Sequence, residues 1–146
     1  MVKQIKTIYL AGAITPDPGC TEWRWRAKSL LGNYFEIIDP ADNEYDKKNT
    51  DGSAQVTHAD TQGVFLFKDY ILVKRADIVL MNLAVVAERP LIGTLFELAW
   101  CFQWHKIVVA IETSNVYCVH PFVVHSVSAV TDSVEEACQL IIRTCK

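Results

Sequence analysis

The sequence predicts a doubly wound α/β sheet of about five mostly parallel strands with helices on both faces, and three observations predict it. Short apolar, β-rich runs at residues 7–11, 77–83 and 107–111 carry the continuous hydrophobic pattern of strands buried on both sides. Segments with helical spacing of apolar residues separate these runs. Turn signals at Gly12, Asp39-Pro40 and Gly93-Thr94 stand where one kind of element gives way to the other.

The first strand, 7–11, ends at Gly12, and the loop "TPDPG" leads to a helix over 21–31 with Thr21 as its N-cap. A second strand, 34–40, is stopped by Asp39-Pro40. Residues 41–62 are polar and read as a long loop, which in a compact domain is commonly functional or disordered. A helix over 65–74 leads into the strand at 77–83. Next come a loop, a helix that contains Glu97, and the strand at 107–111. A loop with "VHPF", a short strand over 126–130 and a helix from 133 to about 144 complete the pattern. With 146 residues and no repeat or linker, residues 1–146 form a single domain.

Composition narrows the function. A net charge of −3 leaves no basic stripe for a nucleic-acid backbone, so any nucleic-acid component handled is a small molecule. Cys20, Cys101, Cys118, Cys138 and Cys145 are odd in number and scattered, which implies neither a disulfide framework nor a zinc site and suits a reducing cytoplasm. The first apolar run is too short for a signal peptide, and no stretch reaches bilayer length. His58, His105, His120 and His125 lack metal-ligand spacing, so no metal is expected. Neither GxGxxG, GxxxxGK[ST] nor GxSxG is present.

The segment "RPLIGTLFELAW", residues 89–100, is the most informative. It sets one carboxylate, Glu97, in an otherwise apolar helix, expected in the first turn at the carboxyl edge of the sheet, where open α/β folds bind ligands. Two readings compete. Thr94 and Glu97 have the spacing of a capping box, or Glu97 faces a pocket. Tyr9 in the first strand, Asp69 in the helix over 65–74 and the polar loop residues Asp42, Asn43 and Glu44 are further candidates, and paired acids in one cleft can separate a nucleophile from a proton donor.

"IYLAGAI", "KDYILVKRADIVLMNL", "GTLFELAW" and "VHPF", in this order, resemble the nucleoside 2-deoxyribosyltransferase family over most of the chain. The resemblance implies a flavodoxin-like fold and movement of a 2-deoxyribosyl group between bases through a covalent sugar on a glutamate, without cofactor. It places Glu97 on the nucleophile, Asp69 on the acid near the base and Tyr9 on the residue that orients the nucleophile. It adds Gly12, Gly93 and Thr94 to the substrate-binding set, and Glu44 falls where the family often has a base-contacting Gln. His120 falls near the residue that a neighbouring subunit lends, which implies a homo-oligomer with a shared site.

The chain departs from the family pattern six residues before Glu97. Leu91 stands where members acting on nucleosides have an Asp for the 5′-hydroxyl and nucleotide N-glycosidases have a Ser at the 5′-phosphate. Arg89, or the backbone around Gly93, is then the group left to meet a phosphate. Three functions follow as alternatives: deoxyribosyl transfer, hydrolysis of 2′-deoxynucleoside 5′-monophosphates, and a non-catalytic nucleotide-binding or sensor module.

Overall fold

The computed structural model describes residues 4–14, 18–42, 59–84 and 90–146. Their five strands, β1 (Thr7–Ala11), β2 (Glu36–Ile38), β3 (Ile78–Asn82), β4 (Ile107–Ile111) and β5 (Ala129–Thr131), form one all-parallel sheet in the order β2-β1-β3-β4-β5. This is the flavodoxin-like order, whose ligand crevice lies outside the carboxyl ends of the strands beside β1 and β3. The register pairs Tyr9 with Val79 and Met81 with Ala110, so the ends of β1, β3 and β4 lie side by side.

The helices are α1 (Pro18–Leu31), α2 (Ala59–Arg75), α3 (Ile92–Gln103), the short α4 (Pro121–Val124) and α5 (Val134–Cys145), with a 3-10 turn at Pro40–Asp42. Alternation along the strands divides the core in two, because successive side chains point to opposite faces. Ile8, Leu10, Ile78 and Leu80 pack with Trp23 and Leu31 of α1 and Ile141 of α5. Tyr9, Val79, Met81 and Ala110 pack with Val73 of α2 and Leu98 and Cys101 of α3. The tyrosine thus lies on the face covered by the two helices that carry the candidate carboxylates.

Element ends differ from expectation where local signals mislead. Helix α1 begins at Pro18 and not at Thr21, a start that suits proline because its fixed φ and missing N–H cost nothing in a first turn. Helix α2 begins at Ala59, six residues before its first aromatic signal, since its polar opening reads as loop. Strand β2 keeps only Glu36–Ile38, and β5 lies at Ala129–Thr131 and not at 126–130. Strand β4 has the expected bounds. Helix α5 starts with Ser133 as N-cap, its hydroxyl accepting the Glu136 N–H at 3.1 Å. Among the described residues no helix is long and apolar enough to cross a membrane.

Candidate active site

Glu97 is held in the core by helical periodicity. The buried residues of α3 are Thr94, Glu97, Leu98 and Cys101, spaced i, i+3, i+4 and i+7, so Glu97 occupies a position in the stripe that faces the sheet. Helix α2 does the same with Asp69 and Val73. A carboxylate in such a stripe loses hydration that a leucine would not miss, and it persists only with partners or a task.

The partner of Glu97 is Tyr9, whose hydroxyl donates to Glu97 Oε1 at 3.0 Å across 88 residues of sequence. Tyr9 is fully buried at the middle of β1. Burial first, then the charges of Glu97 and Asp69, push its pKa well above 10, so the hydroxyl remains a donor. Asp69 is buried too and pairs with Lys68 at 3.3 Å. Glu97 is pushed up to about 8, chiefly by burial and next by the charge of Asp69, while the Tyr9 hydrogen bond, Arg24 and Lys68 act in the opposite sense. The Cys101 thiol, one turn along, is pushed up to about 12 by burial and by Glu97, which leaves it protonated and a poor nucleophile.

This geometry corrects two expectations. Helix α3 starts at Ile92 with Leu91 as N-cap and no side-chain cap, so Glu97 lies in the second turn and not the first. The capping-box reading of Thr94 and Glu97 fails for the same reason. Thr94 is inside the helix and Glu97 accepts from Tyr9.

Around this trio the other expected residues divide. Thr94 is buried one turn before Glu97 on the same stripe. Gly93 is exposed at the start of α3, and a Cβ there would meet nothing within 4 Å, so the helix start opens onto free space. Gly12 follows β1 in a tight packing position: a Cβ would stand 2.9 Å from Trp23 Cζ2 and 3.3 Å from Asn82 Cβ. His120 is exposed and caps α4, its Nδ1 accepting the Phe122 N–H at 3.3 Å. Its described contacts include none of Tyr9, Asp69 and Glu97. Leu91 is buried among the apolar residues of the Tyr9 face. Asp42 pairs with Lys28 at 2.8 Å. Glu44, Asn43, His58 and Arg89 lie outside the described residues. Among the described residues no group of three His, Cys, Asp or Glu could hold a metal ion.

Two buried charged residues went unnoticed in the sequence. Arg24, 1% exposed, donates from Nη1 to Leu10 O at 3.0 Å and to Asp39 Oδ1 at 2.7 Å, and from Nη2 to Gly12 O at 2.9 Å. It thereby ties the carboxyl ends of β1 and β2 together beside Tyr9. Its signal was its place in the stripe Cys20, Trp23, Arg24, Ala27, Leu31 of α1. Glu112, directly after β4, is also buried. Its signal was an acid at the end of a fully apolar strand.

Tyr9 also sets a testable pH dependence. Because its donated hydrogen bond favours ionised Glu97, Tyr9→Phe moves the Glu97 titration upward from about 8. In a 13C NMR titration of the carboxyl, the midpoint of the variant lies above that of the unsubstituted protein. An unchanged or lowered midpoint removes Tyr9 from this role.

The sequence matches no family model and no curated protein sequence. Solved structures do match. The 2-deoxyribosyltransferase from the psychrotolerant bacterium Bacillus psychrosaccharolyticus superposes with a TM-score of 0.67 at 16% identity, over 89% of this chain and 88% of that one. A conserved protein from Enterococcus faecalis V583 gives 0.68 at 14% identity, over 96% of this chain and 99% of that one. The CMP N-glycosidase of Clostridium botulinum gives 0.57 at 14% identity, over 94% and 99%. The resemblance first carried by short motifs is therefore met by the fold, which this chain shares with a 2-deoxyribosyltransferase and a nucleotide N-glycosidase.

Proposed function

We propose that the protein cleaves the N-glycosidic bond of 2′-deoxyribonucleosides and transfers the deoxyribosyl group to another base through an ester on Glu97. The observation that carries this reading is the buried Tyr9–Glu97 hydrogen bond with Asp69 charge-coupled to it. Fold alone hosts many chemistries, so the weight rests on this trio.

The chemistry divides between the two carboxyls. Ionised Glu97 attacks C1′ as the bond from C1′ to the base nitrogen breaks, and the oxocarbenium-like charge is stabilised by the carboxylate beneath it. The one proton of the coupled pair, held by Glu97 before substrate binds, must pass to Asp69 before reaction, and Asp69 then gives it to the departing base. An acceptor base then attacks C1′, releases Glu97 and returns a proton to Asp69; when water attacks instead, the outcome is hydrolysis. Tyr9 favours this division, since its hydroxyl donates to Glu97 and stabilises charge there. Two carboxyls and the substrate supply every proton and electron pair, so the reaction needs no cofactor.

A second reading, hydrolysis of 2′-deoxynucleoside 5′-monophosphates, is favoured by the start of α3. Its first-turn N–H groups have no partners within the helix, Gly93 leaves space before them, and Leu91 is turned into the core and offers no polar group to a 5′-hydroxyl. Arg89, three residues before Ile92 in the sequence, is the cation this reading assigns to the phosphate. Incubation with a panel of deoxynucleosides and deoxynucleotides, with and without an acceptor base, separates the alternatives by chromatography. Base exchange supports transfer, free base without exchange supports hydrolysis, and binding without turnover supports a sensor module.

The working form in this proposal is a cytoplasmic homo-oligomer, with His120 facing a neighbour's site. Phe67 and Ile71 of α2 and Phe96 and Phe102 of α3 are each more than half exposed, an apolar surface that a monomer would leave in water. Trp100 and Trp104 are instead partly buried against Tyr70, at 5.2 and 5.0 Å between ring centroids. Light scattering at low concentration is expected to give a mass that is a multiple of the chain's. A fully active monomer would overturn the shared site.

A further inference from the structure

Between the end of β4 and α4 runs a loop whose Val116 and Val119 are both more than half exposed, while Tyr117 and Cys118 pack partly against the core. What gathers it is one buried carboxylate. Glu112 accepts the Ser114 hydroxyl at 2.5 Å on Oε1, and the Tyr117 and Cys118 N–H groups at 3.2 and 3.0 Å on Oε2. Its own N–H is fixed to Thr131 O at 3.0 Å, so the anchor belongs to the sheet. Burial would raise the Glu112 carboxyl, but the bonds from Ser114, Cys118 and Tyr117 outweigh it and hold it below its ordinary value.

The loop so fixed reaches the helix that carries Glu97. The Tyr117 hydroxyl accepts the Leu91 N–H at 2.9 Å, while Leu91 O accepts the Leu95 N–H at 2.9 Å. Both polar groups of the N-cap residue are thereby committed, in a helix whose N-cap side chain makes no capping bond. Leu91 precedes Glu97 by six residues, under two helical turns, so a displacement at Leu91 passes along α3 to the carboxylate. A shift of a fraction of an ångström at a nucleophile matters, because the reacting atoms must approach within a narrow range.

We propose that Glu112 and Tyr117 are positioning residues for Glu97: the carboxylate sets the loop, and the phenol hydroxyl fixes the start of the nucleophile's helix. The inference rests on the functional reading above for its effect on turnover, and on geometry alone for the tether. Neither residue touches the reacting atoms. Their task is to hold α3 along its axis, where Tyr9 holds Glu97 across it.

The test uses Tyr117→Phe, which keeps the ring and the backbone bond to Glu112 and removes only the acceptor, and Glu112→Ala, which releases the loop. In Tyr117→Phe, hydrogen exchange at the Leu91 amide is expected to quicken about five-fold, the scale of one lost hydrogen bond. The 13C-detected titration of Glu97 shifts, and kcat falls about ten-fold with KM nearly unchanged, as expected of misplacement and not of lost binding. Glu112→Ala shows the same pattern at larger amplitude. If it does not fold, Tyr117→Phe decides alone.

Unchanged Leu91 exchange in Tyr117→Phe overturns the tether. Faster exchange with kcat and the Glu97 titration both unaltered overturns the positioning role. If the unsubstituted protein turns over no nucleoside or nucleotide, that failure belongs to the functional reading. Leu91 exchange and the Glu97 titration then decide the inference between them.

Discussion

Glu97→Gln is expected to lower turnover roughly a thousandfold or more while leaving the fold intact, because it removes a nucleophile and little else. The amide keeps the volume and can still accept the Tyr9 hydroxyl, so the buried contact at 3.0 Å survives in kind. What disappears is the charge. A carboxyl raised from 4.5 to about 8 in the folded chain binds its proton more tightly there than in the unfolded chain. Its contribution to stability therefore falls as pH rises from about 4.5 to about 8, and is constant above that. The Gln variant escapes this loss. Its melting temperature relative to the unsubstituted protein should climb across that window, as thermal unfolding at stepped pH would record. Near-normal turnover would end the nucleophile assignment, and a relative melting temperature that falls with pH would mean that no such charge is buried at Glu97.

The same energetic contrast decides which parts of the fold and site are legible in the sequence. Strand β4 was legible to the residue because a strand covered on both faces is an uninterrupted apolar run, and its ends are marked by Lys106 and Glu112. Glu97 was legible because a carboxylate in an apolar helix stands out, whereas Asp69 alone reads as a solvated helix charge and gained its place from Glu97 and the family resemblance. The starts of α1, α2 and α3 were not legible, since a polar first turn such as that of α2 looks like loop, and Thr94 with Glu97 imitates a capping box at a spacing that also defines one face of a helix, whereas Ser133 marked the start of α5. Arg24 passed unnoticed because an arginine in a helix ordinarily reaches solvent. The bond from Leu91 to Tyr117 had no local signal at all. It joins residues 26 apart through the path of a loop, and only the fold brings them together.

Arg24→Ala is expected to be the most destabilising single change at the sheet edge. The Arg24–Asp39 pair is 2.7 Å long with both side chains 2% exposed, and truncation would take a donor from the Leu10 and Gly12 carbonyls and from a buried carboxylate whose Oδ1 would keep only the Ala41 N–H at 3.0 Å. Breaking a buried pair from one side typically costs 3–5 kcal/mol, against about 0–1 kcal/mol for a surface pair. Lys28 lies 2.7 Å from the other oxygen of Asp39 and remains after the change, which sets the expectation at the lower end, about 3 kcal/mol. Urea unfolding followed by tryptophan fluorescence would read this as a lowered midpoint with little change in slope. Arg24→Lys should recover only part of the loss, because one ammonium cannot span two carbonyls and a carboxylate as the planar guanidinium does. A loss below about 1 kcal/mol would show the pair to behave as a solvated one. A loss of the expected size accompanied by weaker turnover in the folded fraction would tie this edge to catalysis, since the Gly12 carbonyl that Arg24 grips lies three residues beyond Tyr9 on the same chain.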